Sequence, residues 1–195
     1  MAHSIEQAEQ TQRLESAIRT HQLGMAKDAG LVVSASVLMA ISAHISVPLP
    51  FSPVPVTMQP LAMLLIAFFI GPRRAAAAMV AYLLEGAAGL PVFSPAGPGG
   101  IAQLIGPTGG FLMATPFAAF AAGFIARKRT VTYLTLAALA AEVILFTFGA
   151  SWFTLATHTT LSQAFALAVL PFLPGEVLKI AIAVGAASLW NRRNA

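Results

Sequence analysis

Residues 57–90 read TMQPLAMLLIAFFIGPRRAAAAMVAYLLEGAAGL and contain two apolar runs joined by a short basic turn. The runs cover about 57–70 and 75–90, and Gly71-Pro-Arg-Arg74 separates them. Basic residues between hydrophobic segments are typical of the cytosolic loops of membrane proteins. The segment therefore predicts two transmembrane helices that are joined on the cytosolic side.

The composition of the whole chain also indicates a lipid environment. The 195 residues are 57% hydrophobic and 9% charged, whereas a soluble domain carries roughly 25% charged residues because its surface faces water. The net charge of +4 is spread over short clusters between apolar runs, which does not favour a nucleic-acid partner. Because there is no cysteine, disulfides and thiolate metal sites are excluded.

Six apolar runs predict an all-α integral membrane protein with six transmembrane helices. Ten of the 11 Lys and Arg residues lie on one side or in the N-terminal tail, and the other, Lys179, lies within a span. The positive-inside rule then predicts that both termini are cytosolic, in a multi-pass protein of the bacterial cytoplasmic (inner) membrane. We expect a polar cytosolic tail at 1–24 and a membrane domain at 25–195. The predicted spans are about 25–46, 57–70, 75–90, 107–126, 131–150 and 172–190.

The second and third predicted spans are short for a membrane crossing. The 14 residues at 57–70 extend about 21 Å as a helix, against a hydrocarbon thickness near 30 Å. The outer connections at 47–56 and 91–106 are rich in proline and glycine, which predicts irregular loops. Irregular backbone at membrane depth is tolerated where protein covers it or where it lines a cavity. We therefore expect a cavity or a plug in the outer half.

Four polar side chains lie at one depth in the predicted spans: Gln59, Glu85, Glu142 and Lys179. Glu176 lies one turn above Lys179 on the same helical face. A charged residue at the centre of a lipid-exposed helix costs about 2.5–3.5 kcal/mol, so these residues are expected to lie inside the bundle. Two interpretations stay open: structural pairs, such as Glu142 with Lys179, or a ligand site.

Pro174-Gly-Glu176 has the pattern of a helix start, with proline at the first helical position and an acid in the first turn. The positive end of that helix, with Lys179 just below it, suits a carboxylate ligand. Glu176 can accept hydrogen bonds from a urea or amide group. Together the two residues predict a site for a ligand with both features.

Two glycine-rich segments, Gly97-Pro-Gly-Gly100 and Gly106-Pro-Thr-Gly-Gly110, lie on the same outer side. They have no Lys-Ser or Lys-Thr after the glycines, so they are not nucleotide P-loops. They are interpreted either as tight turns or as a loop that covers a ligand, and Thr108 is then a candidate contact. His44 and His158 have no partners at metal-ligand spacing, so no metal and no cofactor are expected.

Six motifs follow one another at compatible spacing from about Met25 to the C-terminus. They are Pro53-Val-Pro-Val-Thr-Met-Gln59, Leu65 through Arg73, Gly89-Leu-Pro-Val-Phe93, Gly99-Gly100, Gly106-Pro-Thr-Gly-Gly-Phe111 and Phe172-Leu-Pro-Gly-Glu-Val-Leu-Lys179. In this combination the chain resembles the BioY-type biotin transporters. These proteins are the substrate-binding subunits, or S components, of energy-coupling factor transporters.

The resemblance implies a six-helix S component with a biotin pocket on the outer side. In that family an acid and a lysine three residues apart on the last helix contact biotin, which implies this role for Glu176 and Lys179. Some relatives carry Asn and a base at positions that are Pro98 and Leu112 here. The expected substitutes for these polar contacts are Gln59, Glu85 and Gln103.

The resemblance also implies partners and leaves two other functions open. The family implies a transmembrane coupling protein and two ATP-binding subunits, and this chain has no Walker motif of its own. An S component for a different small vitamin would share the fold. An intramembrane enzyme with Glu85 and Glu142 as acid and base would need a metal constellation or an activated nucleophile, so no catalytic residue is expected.

Overall fold

The computed structural model describes the backbone of residues 2–193 and the side chains of Arg19 and of residues 22–193. This part of the chain forms eight α-helices, a two-stranded antiparallel sheet and a 3-10 turn at Ala126–Lys128. The helices are α1 (Ala2–His44), α2 (Gln59–Ile70), α3 (Pro72–Ala87), α4 (Gly100–Ile105), α5 (Gly109–Ile125), α6 (Val131–Thr157), α7 (Leu161–Ala168) and α8 (Leu173–Arg193). The strands are β1 (Ser46–Leu49) and β2 (Ser52–Thr57).

Helices occur at all six predicted spans. Four of them are long and apolar enough to cross a membrane: α1 from Gln22 onward, α5 with the 3-10 turn that follows it, α6 and α8. The other two, α2 and α3, have 12 and 16 residues and are short, as the sequence predicts. The structure is therefore a mostly helical membrane protein, and its six crossings with cytosolic termini stay a prediction.

The predicted tail at 1–24 is continuous with the first span. Its backbone is helical from Ala2 and belongs to α1. The side chains of 1–18, 20 and 21 lie outside the described residues, so the polar, cytosolic character of this segment also stays a prediction.

The break between α2 and α3 is made by two adjacent residues. Gly71 has φ +82, a backbone conformation that L side chains rarely adopt, so glycine suits this position. Pro72 begins α3, where its missing N–H would have no helical acceptor. One helix ends and the next begins within two residues, which brings α2 and α3 together as a pair.

The prediction of an irregular loop is wrong for 47–56, which forms a β-hairpin. The hairpin also corrects the prediction of an all-α fold. Strands β1 and β2 form an antiparallel hairpin in which Ser46 pairs with Thr57 and Val47 with Val56. The register is irregular between Val47 and Leu49, at Pro48, which has no N–H to donate. Proline is compatible with edge strands, and both strands of a two-stranded sheet are edges.

The other two outer connections also contain regular structure. Helix α4 lies within the predicted loop 91–106, and α7 lies within 151–171. The start of α7 is closed by a capping box in which Thr160 and Gln163 each satisfy the backbone N–H of the other. Such caps pair backbone donors that have no partner within the helix, so N–H groups at the start of α7 have acceptors.

Large apolar side chains cover the outside of the helices. Val33, Phe117, Val143, Leu155 and Val177 are each more than half exposed. Contiguous exposed apolar surface is unusual for a soluble monomer and is what lipid contact requires. The outer surface therefore agrees with a membrane environment.

Small residues fill the centre of the bundle, where α5 packs against α2, α3 and α6. Ala114, Ala118 and Ala122 of α5 are completely buried. At Gly123, an added Cβ would lie 2.7 Å from the backbone nitrogen of Pro72 and 3.1 Å from the carbonyl oxygen of Ala67. Small residues allow membrane helices to approach closely, and here they hold α5 against the α2–α3 pair.

We predict that Gly123→Ala lowers the melting temperature of the detergent-purified protein. The new methyl group would overlap backbone atoms, and such overpacking costs about 1–3 kcal/mol. Gly185→Ala is the matched control, because no atom lies within 4 Å of its added Cβ and alanine favours the helix. Equal melting temperatures for the two variants would contradict the close approach.

Candidate ligand-binding site

A cavity lies at the end of the bundle that carries the hairpin. Residues from β2 and from α1, α2 and α4–α8 line it, as do residues from the segments that join them. Its apolar wall includes Met39, Met63, Phe111, Leu145, Phe146 and Phe172. Its polar groups include Thr57, Gln59, Gln103, Thr108, Glu142 and Glu176. A mostly apolar pocket with a few converging polar groups is the usual form of a small-molecule site.

Glu176 and Lys179 form a buried ion pair on the first turns of α8. Lys179 Nζ donates to Glu176 Oε1 at 2.7 Å, and both residues are 5% exposed. Glu176 lines the cavity, whereas Lys179 is absent from the described residues that line it. In this arrangement the ammonium group holds the carboxylate, and the carboxylate faces the cavity.

Gln59 begins α2 and joins the cavity to the core. Its Nε2 donates to the hydroxyl group of Tyr82 at 3.0 Å, and Tyr82 is completely buried. The Tyr82 ring meets Phe93 edge to face, with centroids 5.3 Å apart. Gln59 is therefore held in a fixed orientation on the cavity wall.

Gln103 lines the cavity and also shapes the first glycine-rich segment. Its Oε1 accepts from the backbone N–H of Gly99 at 3.1 Å. A Cβ at Gly97 would lie 2.7 Å from the end of the Gln103 side chain, which would have to move. The segment therefore packs against a lining residue, and a ligand-covering role for it stays a prediction.

The second glycine-rich segment is fixed by Trp152, whose Nε1 donates to the carbonyl oxygen of Gly106 at 2.9 Å. The indole also lies against Gly109 and Gly110, where any added Cβ would overlap it. Thr108, between these glycines, precedes α5 and lines the cavity. The sequence singled out this segment, but it contained no signal for the part played by Trp152.

Glu85 forms a hydrogen-bonded contact between two helices. Both of its carboxylate oxygens accept from Ser36 Oγ, at 2.7 and 2.8 Å. It is absent from the described residues that line the cavity. Since Ser36 lies on α1 and Glu85 on α3, this contact joins two helices, and a ligand contact by Glu85 stays a prediction.

Glu142 is a lining residue that the predicted set of contacts omits. It is 6% exposed on α6, and its Oε1 has no hydrogen-bond partner among the described residues. The proposed structural pair of Glu142 with Lys179 is not formed, because Lys179 bonds to Glu176 instead. The depth of Glu142 in its span was the available signal, but depth does not specify which way a helix face points.

The sequence and the fold of this chain are similar to those of known proteins. A model of the BioY family matches residues 10–195. A probable biotin transporter BioY from Pyrococcus horikoshii is 38% identical over 159 residues, which cover 82% of this chain and 93% of the relative.

The chain belongs to the BioY family.

Further matches agree with this membership. A biotin transporter BioY from Rhizobium etli is 32% identical over 159 residues, covering 76% of this chain and 84% of the relative. The crystal structure of the S-component for biotin from an ECF-type ABC transporter has the same fold, with a TM-score of 0.78 over 87% of this chain and 93% of that chain, at 22% identity. The relatives from Pyrococcus horikoshii and Rhizobium etli are both named biotin transporters, so the hypothesis of an intramembrane enzyme is not supported.

One departure from the BioY pattern can be located on the cavity wall. Leu112, at the position where some relatives carry a base, is 5% exposed and lines the cavity. Pro98, where some relatives carry Asn, is exposed and is absent from the described lining residues. The polar groups of this cavity must therefore come from other positions.

We predict that Ser36→Ala lowers the melting temperature of the purified protein without changing its ligand affinity. The substitution leaves the partly buried carboxylate of Glu85 without its partner, which costs about 1–3 kcal/mol. Ser34→Ala is the matched control, because Ser34 is exposed on the same helix. A loss of ligand affinity in Ser36→Ala at unchanged stability would assign Glu85 to the ligand site instead.

Proposed function

We propose that this chain is the substrate-binding S component of an energy-coupling factor transporter and that it imports biotin across the bacterial cytoplasmic membrane. Membership of the BioY family and the names of the relatives support this substrate. The observation that carries the proposal is the buried Glu176–Lys179 ion pair beside a mostly apolar cavity. Biotin has an apolar ring and chain together with a ureido group and a carboxylate, which suits this combination.

The ion pair changes the expected division of roles between its two members. Biotin carries its ureido group and its carboxylate at opposite ends of a chain. A 2.7 Å contact between Lys179 and Glu176 keeps both side chains at one end of the ligand. We therefore assign Glu176 to the ureido N–H groups and Lys179 to the positioning and charge balance of Glu176. The ligand carboxylate then has uncharged donors among the lining residues: Gln59, Gln103 and Thr108.

The apolar wall would contribute most of the binding free energy. Burying apolar surface yields about 25 cal/mol per Å², and phenylalanine side chains from three parts of the chain line the cavity, Phe111, Phe146 and Phe172. Polar groups that are already fixed, such as Gln59 on Tyr82, lose little conformational freedom on binding. High affinity for a small ligand follows from this preorganisation.

Energy for release into the cytosol is assigned to partner proteins. The proposed partners are a transmembrane coupling protein and two ATP-binding subunits, which would dock on this subunit within the lipid bilayer. The proposed topology has six spans and cytosolic termini. It is supported by the basic clusters at Arg73-Arg74, Arg127–Arg129 and Arg192-Arg193, which mark one side.

We predict that calorimetric titration of the detergent-purified protein with biotin shows one-to-one binding and that Lys179→Met weakens it at least about 25-fold. Removing one member of a buried charge pair costs about 2–5 kcal/mol, and each 1.4 kcal/mol is tenfold in affinity. Lys27→Met is the control, because Lys27 is exposed near the start of the first span. Melting temperatures verify that each variant is folded.

Biotinamide, which lacks the carboxylate charge, tests the assigned role of Lys179. If Lys179 positions Glu176, Lys179→Met weakens biotin and biotinamide by the same factor. If the ammonium binds the ligand carboxylate, the variant loses affinity for biotin and not for biotinamide, and the assignment is wrong. Failure of the folded wild-type protein to bind biotin, with binding of another vitamin in a competition panel, would overturn the substrate.

Topology can be measured with single cysteines, because the chain has none of its own. Ser162, in α7, and Thr132, at the start of α6, are both exposed. We predict that a membrane-impermeant maleimide labels Ser162→Cys in intact spheroplasts and labels Thr132→Cys only after permeabilisation. The reverse pattern would invert the proposed orientation.

A further inference from the structure

Two carboxyl groups from different helices face the same cavity: Glu142 from α6 and Glu176 from α8. They are 6% and 5% exposed. Within the described residues, Glu142 Oε1 and Glu176 Oε2 have no hydrogen-bond partner. Buried polar atoms in folded proteins are nearly always hydrogen-bonded. Two carboxyl groups that line one cavity, each with an unpartnered oxygen, therefore point to hydrogen-bond donors on a ligand.

Neither oxygen is satisfied by the cations or amides of the described residues. Lys179 Nζ bonds to the other oxygen of Glu176. Gln59 Nε2 donates to Tyr82, the Gln103 oxygen accepts from Gly99, and neither amide bonds to these two oxygens. The side chains adjacent to Glu142 along the cavity-facing side of α6, Leu145 and Phe146, are apolar. On α6, the unpartnered acid is thus flanked by apolar groups of the wall.

Two carboxyl oxygens suit a ligand group with two N–H donors. The ureido ring of biotin carries an N–H on each side of its carbonyl group, so its two donors point in different directions. Acceptors on two different helices can meet two divergent donors, whereas two oxygens of one carboxylate cannot face both sides of a ring. Helices α6 and α8 pack against each other, which brings the two residues to neighbouring parts of the wall.

We propose that Glu142 is a specificity-determining ligand contact and that its carboxyl group accepts a hydrogen bond from one ureido N–H while that of Glu176 accepts from the other. This inference rests on the proposed function, since it assumes a cyclic urea as the ligand group. The contact gives a binding role to this acid, which has no basic partner among the described residues.

The test measures biotin affinity by calorimetry for the wild-type protein, Glu142→Gln, Glu142→Leu and Val143→Ala. Glutamine retains a carbonyl acceptor of the same length, so Glu142→Gln is expected to retain most of the affinity. Glu142→Leu is expected to lose about 5- to 150-fold, from the cost of about 1–3 kcal/mol for one unpaired buried group. Val143→Ala is the matched control on the same helix, because Val143 is 65% exposed. It is expected to leave affinity unchanged.

Biotin methylated at one or the other ureido nitrogen separates a direct contact from structural damage. One of the two methylated isomers is expected to bind wild-type protein more weakly than biotin does. Glu142→Leu is expected to bind that isomer and biotin equally, because the variant has already lost the hydrogen bond. The contact is refuted if Glu142→Leu binds biotin with the same affinity as wild type. It is also refuted if methylation at either nitrogen lowers the affinity of Glu142→Leu by as much as it lowers that of wild type. The biotin function stands in both cases. Absence of biotin binding by wild-type protein would overturn the function and this inference together.

Discussion

Every backbone N–H and C=O group within a membrane must find a partner in the protein, and this requirement shapes the end of the bundle that holds the cavity. Helices α2 and α3 have 12 and 16 residues and are too short to reach across about 30 Å of hydrocarbon. The space they leave is filled by segments that satisfy their own backbone: the β1–β2 hairpin, α4 and the capped helix α7. The cavity lies where α2 and α3 end early, and the segments that cover it are themselves regular secondary structure.

The helical framework was accessible from the sequence because hydropathy reports directly on contact with lipid. The β-hairpin could not be predicted from the sequence, because proline disfavours central strands and this segment contains Pro48, Pro53 and Pro55. A two-stranded sheet has no central strand, so this objection does not apply. The contribution of Trp152 to the second glycine-rich segment was equally hidden, since it joins residues 46 positions apart in sequence.

The sequence placed Gln59, Glu85, Glu142 and Lys179 by their depth in the predicted spans, but depth does not specify which way a side chain points. Gln59, Gln103, Thr108 and Glu176 line the cavity, whereas Glu85 turns toward Ser36 and Lys179 toward Glu176. Depth follows from counting residues at about 1.5 Å each, but the direction of a side chain depends on how each helix is rotated against its neighbours. That rotation is set by small-residue contacts, such as those at Gly123 and Gly110, which involve distant parts of the chain.

The unpaired oxygens of Glu142 and Glu176 explain how a largely apolar cavity can discriminate among small ligands. Apolar walls distinguish poorly between compounds of similar size, because one methylene group changes affinity by only about 10- to 200-fold. A ligand without N–H donors would leave both buried acceptors unpaired on binding, at about 1–3 kcal/mol for each. A ligand with a single donor would satisfy one of them and leave the other, so the two penalties act separately. Discrimination then comes from what the wrong ligand fails to satisfy, while the phenylalanine and leucine wall supplies affinity without regard to chemical identity.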